Sequence, residues 1–113
     1  MMKKLKTTML VVIVLVVAVS LGFAAGDMEK GKALFSNPTL GDGTSGKSCN
    51  TCHPNGKGLE GIGAKKEWIN PAGTYNTLEA AVNICIAKAL KGNPLDEKSK
   101  QMQDLIAYLR SIK

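Results

Sequence analysis

Apolar positions in the second half of the chain recur at helical spacing. Leu78, Ala81, Val82, Cys85 and Ala89 fall at i, i+3, i+4, i+7 and i+11, one face of a helix. Thr77 stands where an N-cap belongs, and Gly92-Asn93-Pro94 stops the pattern, so the predicted helix runs to about Lys91. Met102, Leu105, Ile106 and Leu109, with Tyr108 beside them, repeat the pattern in a last helix from about Asp96 or Ser99 to Ile112. Asp27 is placed to cap a short first helix, Met28 to Phe35, carrying Gly31, Leu34 and Phe35. Between these segments, Ser36 to Ser48 is rich in Gly, Ser, Thr and Asn and predicts a loop. Asn55 to Ala64 holds Gly56, Gly58, Gly61 and Gly63, a composition that lets backbone wrap closely around a ligand edge. Trp68, Asn70 and Pro71 lie in a short K-E-W-I-N-P segment before another turn. The fold class expected from this pattern is all-α.

The first 25 residues follow a different rule. Lys3, Lys4 and Lys6 precede an uninterrupted apolar run, Met9 to Val19, and a small-residue stretch from Ser20 to Gly26. Gly22-Phe23-Ala24 and Ala24-Ala25-Gly26 both fit a small-x-small cleavage site. The expectation is a signal peptide over 1–25, cleaved near 24–26, followed by a single domain over 27–113. The strictly apolar run is short of the roughly 20 residues that span a bilayer. Extension to Ala25 would lengthen it enough, so an inner-membrane anchor is the alternative. The segment holds no cysteine for lipid attachment.

Removal of the leader changes the charge. The full chain of 113 residues carries a formal +6, and loss of Lys3, Lys4 and Lys6 leaves +3. Aromatics are 4% of the chain and there is no basic stripe, so nucleic-acid binding has no support. Roughly 90 residues with so few aromatics make a marginal core alone, and a buried prosthetic group would supply an apolar centre.

Such a group is indicated by Cys49-Asn50-Thr51-Cys52-His53. C-x-x-C-H is the attachment signature for c-type haem. On one helical turn, positions i, i+3 and i+4 share a face. The thiols of Cys49 and Cys52 then form thioethers to the macrocycle, and His53 supplies the proximal iron ligand. His53 is the only histidine, so two-histidine ligation within the chain is excluded. A zinc site needs four well-spread ligands, whereas Cys52 and His53 are adjacent and one other cysteine exists. The cofactor expected is one covalently bound haem c. Haem of this kind is attached outside the bacterial inner membrane, which agrees with the export signal and points to the periplasm. Cys85 is left as a lone thiol in an oxidising compartment.

A small domain with terminal helices around one C-x-x-C-H resembles the cytochrome c fold over nearly all of 27–113. Gly31-Lys32-Ala33-Leu34-Phe35 is similar to the first helix of that fold and Ala107-Tyr108-Leu109 to its last. These helices cross in the family, which implies a close approach of Gly31 to Tyr108 or Leu109. A narrower resemblance covers Thr77-Leu78-Glu79, Val82-Asn83-Ile84-Cys85, Ala89 to Leu95, Ser99-x-x-Met102 and Ala107-Tyr108-Leu109. Together these are similar to the haem domains of thiosulfate dehydrogenases and, more distantly, to the cytochrome subunit of the Sox complex. A cysteine at the position of Cys85 is a distal iron ligand in those families. The chain departs from them in being short, with one haem motif.

Two residues compete for the distal position. Cys85 sits 32 residues after His53, central on an apolar face, and a thiolate there would favour ferric iron and lower the potential. Met102 sits 49 residues after His53 and would raise it. Cys85 is favoured, because Met102 falls inside a helix just after the Ser99 cap. The plainer roles are a small buried hydrophobe for Cys85 and core packing for Met102. Trp68 and Asn70 are candidates for hydrogen bonds to a haem propionate, with core packing and turn formation the simpler roles. Lysines 57, 65, 66, 88 and 91 are candidates for steering an acidic partner, with a solvated surface the simpler role.

The sequence points to an electron carrier rather than a catalyst, since it has no second histidine and no paired-carboxylate motif for acid–base work. Its partner would be a redox protein such as a haem enzyme or an oxidase, with a membrane involved only if the leader is retained. The alternative is a haem component of an enzyme that oxidises a sulfur anion such as thiosulfate, although the only arginine available as an anion clamp is Arg110.

Overall fold

The computed structural model describes residues 26–113. The predicted leader therefore lies outside the described residues. Four α-helices occur among those described: α1 (Met28–Phe35), α2 (Cys49–Cys52), α3 (Leu78–Lys88) and α4 (Lys100–Ser111). Single 3₁₀ turns occur at Leu40–Asp42, Pro54–Gly56 and Ile62–Ala64.

The all-α expectation needs one correction. Strands β1 (Trp68–Asn70) and β2 (Gly73–Tyr75) form an antiparallel hairpin, pairing Trp68 with Tyr75 and Ile69 with Thr74. Pro71-Ala72 makes the two-residue loop, and Asn70 Oδ1 accepts the Ala72 N–H at 2.8 Å. Aromatic and β-branched residues suit a pleated ribbon, but three residues are too few to show a two-residue period in sequence.

Helix starts follow their caps. Asp27 accepts from Lys30 N–H at 3.1 Å, Thr77 from Ala80 at 3.1 Å and Ser99 from Met102 at 3.2 Å. The end of α3 comes three residues before the expected Lys91. Lys91 has φ +56°, and the Gly92 N–H turns back to the Ile86 carbonyl at 3.0 Å. The backbone reverses there before Gly92-Asn93-Pro94 is reached.

The terminal helices pack through Gly31. A Cβ at that position would run into the Asp104 carbonyl and stand 2.9 Å from Tyr108 Cβ, so any larger residue would push α1 off α4. Phe35 and Tyr108 stack beyond it, with ring centroids 5.1 Å apart and planes tilted by 57°. The buried face of α4 is the one the periodicity predicts, Met102, Leu105, Ile106, Tyr108 and Leu109. The Ser36 to Ser48 loop contributes Leu40, 2% exposed, to the same core.

A buried carboxylate joins the chain ahead of α1 to α4. Asp104, 3% exposed, accepts the Asp27 N–H at 2.7 Å and pairs with Lys100. Burial works to raise its pKa, but the Asp27 N–H and the Lys100 ammonium outweigh it and hold the carboxyl below the usual range. No helix among the described residues is long and apolar enough to cross a membrane.

Candidate haem site

Cys49 and Cys52 occupy the first and last positions of α2, and His53 is its C-cap. Ser48 starts the turn, its N–H donating to Thr51 Oγ1 at 2.9 Å, and His53 N–H closes it on the Cys49 carbonyl at 2.9 Å. Asn50 Oδ1 accepts the Asn55 N–H at 2.9 Å, which supports Asn55 at φ +53° and turns the chain back beneath the ring.

The imidazole is oriented from below. His53 Nδ1 lies 3.0 Å from the Lys57 carbonyl oxygen. A carbonyl only accepts, so Nδ1 carries the hydrogen and Nε2 keeps its lone pair free for a metal. Gly58 makes room for this arrangement. Its φ is +91°, and a Cβ there would stand 3.3 Å from His53 Nδ1.

Cys49, Cys52 and His53 line a cavity of about 340 Å³. Leu78, Ala81, Val82 and Cys85 of α3 and its C-cap Ala89, the whole of the predicted apolar face, line the same cavity. Leu59 and Ile62 line it too, with Trp68, Ile69 and Asn70 of β1. Ile86, at 0% exposed, is sunk in the protein core off that face, and Leu78, at 2%, belongs to both the core and the cavity wall. Helical periodicity marks a face as apolar without saying whether protein or a ligand covers it, so the cavity wall and the core were indistinguishable in sequence.

The two candidates for the distal position end in different places. Cys85 is exposed on the cavity wall, whereas Met102 is 0% exposed in the core and is not among the lining residues. Burial pushes the Cys49 thiol up to about 11, with Cys85 the next contributor. Burial also raises the pKa of Cys85, and Cys52 adds to the effect. The three thiols line one cavity.

The model of the SoxA/TsdA cytochrome c domain matches residues 30–112. The chain belongs to this family. No curated protein and no solved structure matches it. A cytochrome c domain implies covalently bound haem c and electron exchange with a redox partner. The residues present fit that group: two thiols and an imidazole on one turn, the imidazole presenting Nε2, in a cavity lined mainly by apolar side chains.

Other expectations are sorted by the same geometry. Trp68 Nε1–H donates to the Ile62 carbonyl at 2.9 Å, so that donor is committed to holding the rim rather than free for a propionate. Asn70 lines the cavity with its oxygen used by Ala72 N–H, leaving its amide N–H₂ free. Among the five lysines singled out, Lys65 lines the cavity. Arg110 packs over Gly63, whose Cβ would meet Arg110 Cγ at 2.7 Å, and does not line the cavity. The Lys57 carbonyl was invisible to sequence reasoning, because backbone acceptors carry no side-chain signature. Leu59 and Ile62 were also missed, and their i, i+3 spacing directly after the haem motif was the available signal.

Proposed function

We propose that this chain is a periplasmic monohaem cytochrome c that carries electrons, with His53 as proximal and Cys85 as distal iron ligand. The placement of Cys85 in the same cavity as Cys49, Cys52 and His53, with Met102 packed away from it in the core, carries this reading. The haem supplies the one-electron chemistry. The protein supports it in three ways. Cys49 and Cys52 fix the haem to α2, the Lys57 carbonyl holds the His53 ring and raises its basicity, and a thiolate at Cys85 stabilises ferric iron. Exposure at the cavity mouth, around Cys52 and Ile69, brings the haem edge within reach of a partner protein. Attachment of the haem between α2 and α3 would complete the apolar centre that the described core leaves open.

A second reading draws on the family and on two observations. Cys85 opens to solvent, and Lys65 brings a cation to the cavity, so a haem component of a sulfur-anion-oxidising enzyme would have a thiol and a positive charge available.

Voltammetry of the holoprotein with and without thiosulfate separates the two. The carrier reading expects a reversible one-electron wave, raised in potential by Cys85→Met, and no haem reduction by thiosulfate alone. Thiosulfate-dependent reduction of the isolated chain would move the assignment to the enzyme reading. An irreversible wave, or one unmoved by Cys85→Met, would remove the carrier reading as stated.

A further inference from the structure

The wall that presents Cys85 is registered by one side chain. Asn83 Nδ2 donates to the Leu95 carbonyl at 2.8 Å, and Asn83 Oδ1 accepts the Leu95 N–H at 2.8 Å. Leu95 offers one donor and one acceptor, and the carboxamide satisfies both, which also fixes which end of the amide is which. Asn83 precedes Cys85 by two positions, so the two side chains leave the helix about 200° apart. Cys85 faces the cavity while Asn83 grips the chain behind the helix.

That chain is tied in turn to the segment leading into the haem motif. Asn93 N–H donates to the Gly41 carbonyl at 2.6 Å. The Leu90 carbonyl accepts from Thr44 N–H at 3.0 Å and Ser45 N–H at 3.1 Å, and Thr44 Oγ1 donates to the Lys91 carbonyl at 3.2 Å. Ser48, three residues past Ser45, begins the turn that carries Cys49. A continuous hydrogen-bonded path thus runs from α3, through Asn83 and 90–95, to 40–45 and the haem motif. Within α3 itself, the other contacts to the core are apolar, made by Leu78, Val82 and Ile86, and the helix also packs on the β1–β2 hairpin. An apolar stripe sets which face a helix buries only to within the width of the stripe, whereas a two-point amide pair fixes the rotation more narrowly.

We propose that Asn83 is a positioning residue for the distal ligand: it fixes the rotation and height of α3 so that Cys85 Sγ faces the proximal histidine. The inference rests on the reading of Cys85 as that ligand. Loss of the amide leaves α3 free to turn about Ile86, and Cys85 then spends part of its time away from the iron.

Electron paramagnetic resonance of the ferric holoprotein tests this, with thermal unfolding measured alongside. Asn83→Ala is expected to replace one thiolate-ligated low-spin signal by a mixture. The ratio of thiolate-ligated to other ferric species should fall by about fivefold or more, the scale of one to two lost hydrogen bonds. Asn83→Asp keeps the acceptor for the Leu95 N–H and is expected to fall between. Thr77→Ala removes the N-cap of the same helix without touching the clasp. It should lower the midpoint of unfolding and keep the single wild-type signal. A wild-type signal alone in Asn83→Ala, or an equal mixture in Thr77→Ala, would overturn the proposal. If Asn83→Ala does not load haem, Asn83→Asp is decisive, and a wild-type signal alone there overturns it. Cys85→Ala separates the two levels: an unchanged signal in that variant defeats the ligand assignment itself, whatever Asn83 does.

Discussion

On the His53 side of the cavity, the hydrogen bonds that shape Ser48 to Gly58 span five residues or fewer: Ser48 to Thr51, Asn50 to Asn55, His53 to Lys57. On the Cys85 side the bonds are long. Asn83 reaches Leu95 across 12 positions, and Thr44 reaches Lys91 across 47. The proximal side is a local device, complete in one stretch of chain. The distal side exists only once the fold has closed. A short motif can therefore specify attachment and the first iron ligand, while the second ligand, and with it the potential, depends on tertiary structure.

The comparison can be attacked at several points. The largest expected effect on stability is from Met102→Ala, which empties a fully buried position and should cost about 2–5 kcal/mol in denaturant unfolding. If Met102 serves only the core, the ferric spectrum of the variant stays that of wild type. A changed axial signature would move the distal ligand into the core and erase the contrast between wall and core.

Gly58→Val probes the local side. A side chain at φ +91° is strained, by about 1–3 kcal/mol, and its Cβ would crowd His53 Nδ1. Weakening the Nδ1–H bond to the Lys57 carbonyl makes the ring less basic, so the potential should rise along with the loss of stability. Loss of stability at constant potential would show that the Lys57 bond does not tune the iron.

Asp104 lies outside both sides, at the crossing of α1 and α4, and its effect is the smallest. Asp104→Asn should cost about 1 kcal/mol at neutral pH, because the Asp27 N–H keeps an oxygen acceptor and only the charged pairing with Lys100 is lost. The folded pKa is depressed, so the carboxylate's contribution is complete above the unfolded carboxylate value, near 4, and disappears as pH falls through the folded one. Unfolding curves of the two proteins should differ at pH 7 and converge in acid. A gap that stays constant into acid would mean that the charge contributes nothing.

How much could be read in advance follows the same division. The α1–α4 packing was legible, since the Asp27 and Ser99 side chains cap backbone within three residues of themselves, Gly31 acts by lacking a side chain, and the apolar face of α4 is a regular repeat. That Cys49, Cys52 and His53 share one side of a turn was legible from their spacing, and all three line the cavity. The choice between Cys85 and Met102 was open because both lie on apolar helical faces, and periodicity does not say what covers a face. Asn83 gave no signal as a clasp, because its partner is a backbone group of another segment. The Trp68–Tyr75 hairpin was hidden by its length, and the early end of α3 by a positive φ at a lysine.

The central claim is that the Cys85 thiolate completes the haem site. Electron paramagnetic resonance with near-infrared absorption, on the ferric holoprotein and on Cys85→Ala, tests it most directly. The account predicts a low-spin thiolate signal in the wild type that is absent from Cys85→Ala, with the haem still covalently bound. A thioether charge-transfer band in the wild type, unchanged in Cys85→Ala, would contradict it.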